Sequence, residues 1–167
     1  PIPTSTNKVT YYDHDYELVE EIDPNLFCDF SPTITLPLKN GLELDVDKTK
    51  ITNLVINKIN SKTKSIYGYF LYGYKSLTTL DLSGLSNVTS IGNRFLYNCD
   101  NLTKVNLGTI KVQVLPTDNG SFATENQDAN CYKKGMMLIY KHNDEESDLW
   151  VWDNLVDHNS AENQSRN

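Results

Sequence analysis

Apolar positions in the middle of the chain recur at a fixed interval. Leu77, Leu80 and Leu82 return as Leu102, Val105 and Leu107, an offset of 25 in the numbering. The same shift carries Ser65-Ile66 onto Ser90-Ile91 and Phe70-Leu71-Tyr72 onto Phe95-Leu96-Tyr97. Side chains alternate along a strand, so Leu80 and Leu82 fall on one face of a short strand and Thr79 and Asp81 on the other. Leu77 opens the strand, and the Phe-Leu-Tyr triplet comes early enough to form the opposite wall of a coil. A weaker earlier copy, Ile51, Leu54 and Ile56, repeats the spacing at an offset of 26. One such unit cannot bury its apolar face alone. Stacked units make a continuous core and leave Thr79, Asp81, Lys104 and Asn106 on one exposed sheet.

The flanks follow other rules. Val9-Thr10-Tyr11-Tyr12 is rich in strand formers, Asp13-His14-Asp15 reads as a turn, and Tyr16 to Ile22 alternates in part, which together predict a hairpin. Pro24, Pro32 and Pro37 divide the next stretch into loops and short extended pieces, and Leu42 to Val46 alternates cleanly as a strand. Beyond the repeats, Val112, Val114 and Leu115-Pro116 read as one more irregular coil, Pro116 to Gly120 as a turn, and Met136 to Tyr140 as a final strand. After His158 the tail carries almost no apolar residues and is expected to fray. The predicted organisation is a β-rich N-terminal cap over 1–50 (or an independent mini-domain), coils over 51–115, and a capping segment over 116–167.

The string Asn87-Val88-Thr89-Ser90-Ile91-Gly92-Asn93-Arg94-Phe95-Leu96-Tyr97-Asn98-Cys99-Asp100-Asn101-Leu102-Thr103-Lys104-Val105 resembles the BspA-type, or Treponema pallidum-type, leucine-rich repeat. Ile91-Gly92, Phe95, Cys99, Leu102 and Val105 fall on that family's positions. Arg94 stands where the family has Ala, Tyr74 where the preceding copy would have Cys, and Tyr67 where it would have Gly. Residues 149–157 are loosely similar to the phrase that closes such arrays, with Trp152 in place of a proline. The resemblance implies an α/β or mainly β fold, a short leucine-rich-repeat solenoid of about three coils with its two caps. It also implies a secreted or cell-surface protein used in adhesion, with no shared catalytic residues.

The chain has 167 residues and a formal net charge of −7. That balance argues against a nucleic-acid partner, because neutralisation of phosphates by Lys and Arg dominates such binding. No apolar run approaches the roughly 18 residues needed to span a bilayer, so no membrane insertion is expected. The first residue is Pro1, which reads as a processed or trimmed chain. Cys28, Cys99 and Cys131 are widely spaced with no CxxC, which leaves zinc and dithiol chemistry unsupported. They read as small buried hydrophobes, with a Cys99–Cys131 bridge open in an oxidising compartment.

Candidate chemistry is sparse. Asp13-His14-Asp15 could orient an imidazole only if a turn made its residues converge. His142 beside Asp144, Glu145, Glu146 and Asp148 has no calcium-loop spacing, and Asp45-Val46-Asp47 fails the template because Ile56 stands where a bidentate Glu is needed. No nucleophile elbow, phosphate-binding loop, dinucleotide fingerprint or zinc-protease motif occurs, and no cofactor is expected. Trp150 and Trp152 share one face of a strand, either as an aromatic platform or as the lid of the last coil. Tyr67, Tyr69, Tyr72 and Tyr74 divide between coil wall and surface. Four N-glycosylation sequons begin at Asn87, Asn101, Asn119 and Asn163.

The expectation is therefore a non-enzymatic binding module that presents Thr79, Asp81, Lys104 and Asn106 to a protein or glycan. The alternatives are a structural component such as a phage tail or fibre protein, and a hydrolase built on Asp13, His14 and Glu17.

Overall fold

The computed structural model describes residues 6–92, 94–110, 136–142 and 147–152, with side chains described for 6–92 and 94–108. The fold is mainly β. Helical structure among the described residues is confined to short 3-10 turns at Pro24–Phe27, Lys48–Lys50 and Ser83–Asn87. The strands are β1 (Lys8–Tyr11), β2 (His14–Glu17), β3 (Thr33–Pro37), β4 (Glu43–Asp47), β5 (Ile51–Val55), β6 (Ser65–Ile66), β7 (Thr79–Asp81), β8 (Ser90–Ile91), β9 (Lys104–Ile110), β10 (Met136–His142) and β11 (Ser147–Trp152). One seven-stranded sheet runs β11-β10-β9-β7-β5-β1-β2, and two-stranded sheets pair β3 with β4 and β6 with β8.

Strands β5, β7, β9 and β10 are parallel neighbours, and an antiparallel strand closes each end of the run. Their register follows the sequence intervals. Asn53 faces Thr79 at an interval of 26, and Thr79 faces Lys104 at one of 25. On the opposite wall Ile66 faces Ile91, again at 25. Leu54, Leu80 and Val105 therefore stack in one buried row, with exposures of 0, 3 and 0%. The step to β10 is longer, because Val105 faces Leu138.

The core between the walls holds Leu77, Leu82, Leu85, Phe70, Phe95, Leu71 and Leu96, all at most 1% exposed. Phe70 and Phe95 stack with ring centroids 5.4 Å apart, one turn of chain above the other. The backbone beside them is unusual. Tyr69, Leu71 and Gly73 are left-handed, and so are Arg94, Leu96 and Asn98 at the same places one turn later. The alternation aims Leu71 and Leu96 inward, where their burial offsets a conformation that costs L-residues about 1–2 kcal/mol. Hydrogen bonds from Leu96 N to Phe70 O and from Gly73 N to Tyr97 O tie the two turns together there.

The N-terminal region covers the first turn of chain. Strand β1 pairs antiparallel with β5, so the apolar row starts at Val9, opposite Leu54. The β1–β2 turn falls on Tyr12-Asp13, both with positive φ, and not on Asp13-His14-Asp15; His14 and Asp15 lie in β2. The Tyr12 conformation is supported by its ring packing edge-on against Tyr11 at 4.7 Å and by the contact of 3.0 Å between its carbonyl and His14 Nδ1. Strand β4 begins at Glu43, one residue later than the alternation predicts, and Leu42 is left 65% exposed in the turn. Pro24 starts a 3-10 turn capped by the Asp23 carboxylate, whereas Pro37 ends β3.

Asn7 joins this cap to the rest. The side chain is 2% exposed. The two N–H groups of its Nδ2 are shared among three carbonyls, Val19 O and Glu20 O, each at 2.9 Å, and Lys58 O at 2.8 Å. Its Oδ1 accepts from Asn57 N at 2.8 Å and Lys58 N at 3.1 Å. In later turns the equivalent N–H is bonded from within the repeat, since Ser83 N donates to Asp81 and Gly108 N to Asn106, both at 2.9 Å. The first turn has Val55 at that position, and Asn7 supplies the missing acceptor.

The expected irregular coil at Val112–Pro116, the turn to Gly120, Cys131, the acidic run 143–146 and the tail lie outside the described residues. Met136 to Tyr140 does form strand, extended to His142 as β10, but β11 follows it in the sheet.

Candidate functional site

Two surfaces present chemistry. On the outer face of the sheet the register places Asp15, Thr10, Asn53, Thr79 and Lys104 in one row, and Glu17, Lys8, Val55, Asp81 and Asn106 in the next. All four sequence-derived binding residues thus share one face. Lys104 is exposed, whereas Thr79, Asp81 and Asn106 are half-buried. Much of their hydrogen-bonding capacity is used locally. Thr79 bonds Asn53 at 2.5 Å, and Asp81 and Asn106 each hold the backbone two residues on. Thr10 donates to Asp15 at 2.7 Å, and with the nearby Lys8 ammonium this lowers the Asp15 carboxyl below its ordinary value. The face is largely polar and internally bonded.

The second surface was not legible as a unit in the sequence. Tyr72 meets Phe30 and Tyr69 edge-to-face with centroids 5.4 and 5.7 Å away, Phe30 and Tyr69 are tilted against each other at 4.6 Å, and Tyr97 stacks on Tyr72 at 5.9 Å. The Arg94 guanidinium lies 4.8 Å from the Tyr97 ring centroid. Phe30 is 64% exposed, and Tyr69, Tyr72 and Tyr97 are half-buried. Of the four clustered tyrosines only Tyr74 is buried; Tyr67 is also 64% exposed. Rings this close touch each other and leave no room for a cation among them, so the cluster is a patch rather than a cage.

Lys48 fastens the patch from beneath. It is 3% exposed, and its ammonium donates to Asp29 O at 2.6 Å and Tyr72 O at 3.1 Å. It also lies 5.9 Å and 5.3 Å from the Tyr72 and Tyr74 ring centroids. Its bonds join the backbone beside Phe30 to that of Tyr72. Burial lowers its pKa, partly countered by Asp29. With the folded value below the unfolded one, the unfolded chain binds more protons in that window, so this lysine's contribution to stability increases with pH. Lys48→Met keeps the stem but leaves two carbonyls unpaired, and is expected to cost about 1–3 kcal/mol at pH 7. Urea unfolding at pH 7 and in the lysine range should show the gap to wild type widening as pH rises; a narrowing gap would contradict this assignment.

The remaining candidates are dispersed. His14 and Glu17 lie on opposite faces of β2 and Asp13 is in the turn, so the structure does not bring the three together. The groove beside β2 is lined by Asp15, Glu17 and Lys39 and includes neither Asp13 nor His14. Cys28 and Cys99 are free thiols, and burial pushes both up to about 12. Trp150 and Trp152 occupy alternate positions of β11, opposite Leu138 and Met136, and their side chains lie outside the described set. No helix among the described residues is long and apolar enough to cross a membrane.

No family model, curated protein or solved structure matches the chain.

Proposed function

We propose that the chain is a short leucine-rich-repeat solenoid of the BspA type, acting as a non-enzymatic binding module of a secreted or cell-surface protein. The parallel pairing of β5, β7 and β9 at the two repeat intervals supports the architecture. The observation that carries the binding reading is the surface cluster of exposed Phe30 with half-buried Tyr69, Tyr72 and Tyr97. Aromatic anchors concentrate binding energy at protein interfaces, and here they sit on a hydrogen-bonded backbone and need little ordering. The polar sheet face, on which Lys104 is exposed, is the second contact surface of the same module.

The purified chain is tested against immobilised matrix proteins and glycans. For a partner so found, Phe30→Ala with Tyr97→Ala is expected to weaken binding about tenfold or more. The combined change of Thr79, Asp81, Lys104 and Asn106 to Ala should have a smaller effect. Retention of full affinity by both variants would refute the reading. Self-association on light scattering without any such partner would favour a structural subunit, the phage-tail or fibre alternative, instead.

A further inference from the structure

We infer that a groove on the flank of the molecule, between residues 22–25 and 59–67, binds an anionic saccharide of the uronic-acid class. The inference rests on the binding-module reading but uses residues outside the aromatic cluster. Ile22 bridges Ile59, and Asn60 N donates to Ile22 O at 3.0 Å, which sets Asp23 beside Asn60. The Asn25 amide closes the other side, donating to Ser65 O at 3.0 Å and accepting from Tyr67 N at 2.9 Å. The hollow between measures about 480 Å³ and is lined by Asp23, Asn60, Lys62, Thr63, Lys64 and Tyr67 among others. Ligand sites span about 300–1,000 Å³.

The lining has the parts a charged sugar needs. Tyr67 is 64% exposed and offers a ring to the C–H face of a pyranose. Asn60 Oδ1 is held by Lys62 N at 3.1 Å and Thr63 Oγ1 at 2.9 Å, which leaves Nδ2 as a fixed donor. Asp23 Oδ1 is held by Asn25 N at 3.0 Å, which leaves Oδ2 as an acceptor. A donor and an acceptor held on adjacent segments suit the hydroxyls of a sugar, and little side-chain freedom remains to be lost. Lys62 and Lys64 make no ion pair among the described residues, unlike Lys8, Lys39 and Lys58. Against the one carboxylate of Asp23 they make the groove locally positive on a chain of net charge −7. That excess suits a monoanionic carboxylate. Asp23 disfavours polyanions, and its carboxylate already takes the Asn25 N–H at the start of the 3-10 turn that a phosphate would need.

The test is titration of the full chain with the methyl glycoside of galacturonic acid, which carries a single carboxylate, and, separately, with its methyl ester, followed by amide NMR shifts. The acid should produce saturable shifts in residues 23–25 and 60–67, with a Kd of the order of 1 mM. Esterification, and the Lys62→Ala/Lys64→Ala double variant, should each weaken binding about fivefold, the upper range for exposed charge pairs. Tyr67→Ala should weaken it further, and Phe30→Ala should leave it unchanged. Every altered residue is exposed, so loss of binding is separable from loss of folding. Absence of saturable shifts, equal affinity for acid and ester, or shifts that instead follow Lys8, Lys39 and Lys58 would each overturn the inference. None of these results touches the aromatic patch, whose fate is decided by the Phe30 and Tyr97 variants.

Discussion

Asn7→Ala is expected to lower the unfolding free energy by about 3–5 kcal/mol, the largest effect of any polar substitution in the described chain. The substitution strips partners from two part-buried N–H groups, Asn57 and Lys58, and from the carbonyls of Val19, Glu20 and Lys58. Asn57 and Lys58 gain no substitute from the repeat, because Val55 has no acceptor where Asp81 and Asn106 have one. Asn7→Asp separates loss of shape from loss of donors. It keeps the size and the acceptor oxygens but sets a carboxylate against three carbonyls, so it should be at least as damaging at pH 7. Urea denaturation of both variants gives the answer; a loss under about 1 kcal/mol for either would show that the cap is held mainly by apolar contacts.

This residue also shows where sequence reading stops. The repeat was legible because burial imposes a period. Leucines at 77, 80 and 82 and their counterparts at 102, 105 and 107 must face one core, and the strand register reproduces that interval. Even the weaker offset of 26 at Ile51, Leu54 and Ile56 became strand pairing. Asn7 follows no period, since an isolated Asn near a strand reads as a turn former and its four partner residues are distant in sequence. Lys48 misleads in the same way: lysine is ordinarily solvated, and only carbonyls and rings brought together by folding let it be buried. The aromatic patch needed Phe30, far from Tyr69 along the chain, to complete it. The hairpin turn slipped by one residue because Asp-His-Asp looks more turn-like than Tyr-Asp, while local contacts of Tyr12 and His14 decided the outcome.

The other face of the same backbone corner carries the second large effect. Gly84→Ala is expected to destabilise by about 2–4 kcal/mol, although alanine would gain roughly 0.5–1 kcal/mol from restricted backbone freedom alone. A Cβ at Gly84 would lie 2.6 Å from Asn57 C, 2.7 Å from Lys58 N and 2.9 Å from Ile56 O, all backbone atoms that no rotamer change can move. Relief requires the Ser83–Asn87 turn to lift off the turn beneath, which strains the Gly84 N to Ile56 O hydrogen bond of 2.9 Å. Gly73→Ala is the control, because nothing lies within 4 Å of its Cβ and only its φ of +80° opposes the change. That variant should cost about 1–2 kcal/mol. Equal losses at the two sites would mean that close approach of successive turns is not what demands glycine at 84. The Asn57–Lys58 backbone is held between Asn7 on one side and Gly84 on the other, so the two sites share their neighbours. Once Asn7→Ala has released that segment it can yield to the new methyl group. The double variant should therefore be destabilised less than the sum of the singles by about 1 kcal/mol or more. Strict additivity would show that the cap and the repeat grip this corner independently, and that the first turn of chain is rigid without its cap.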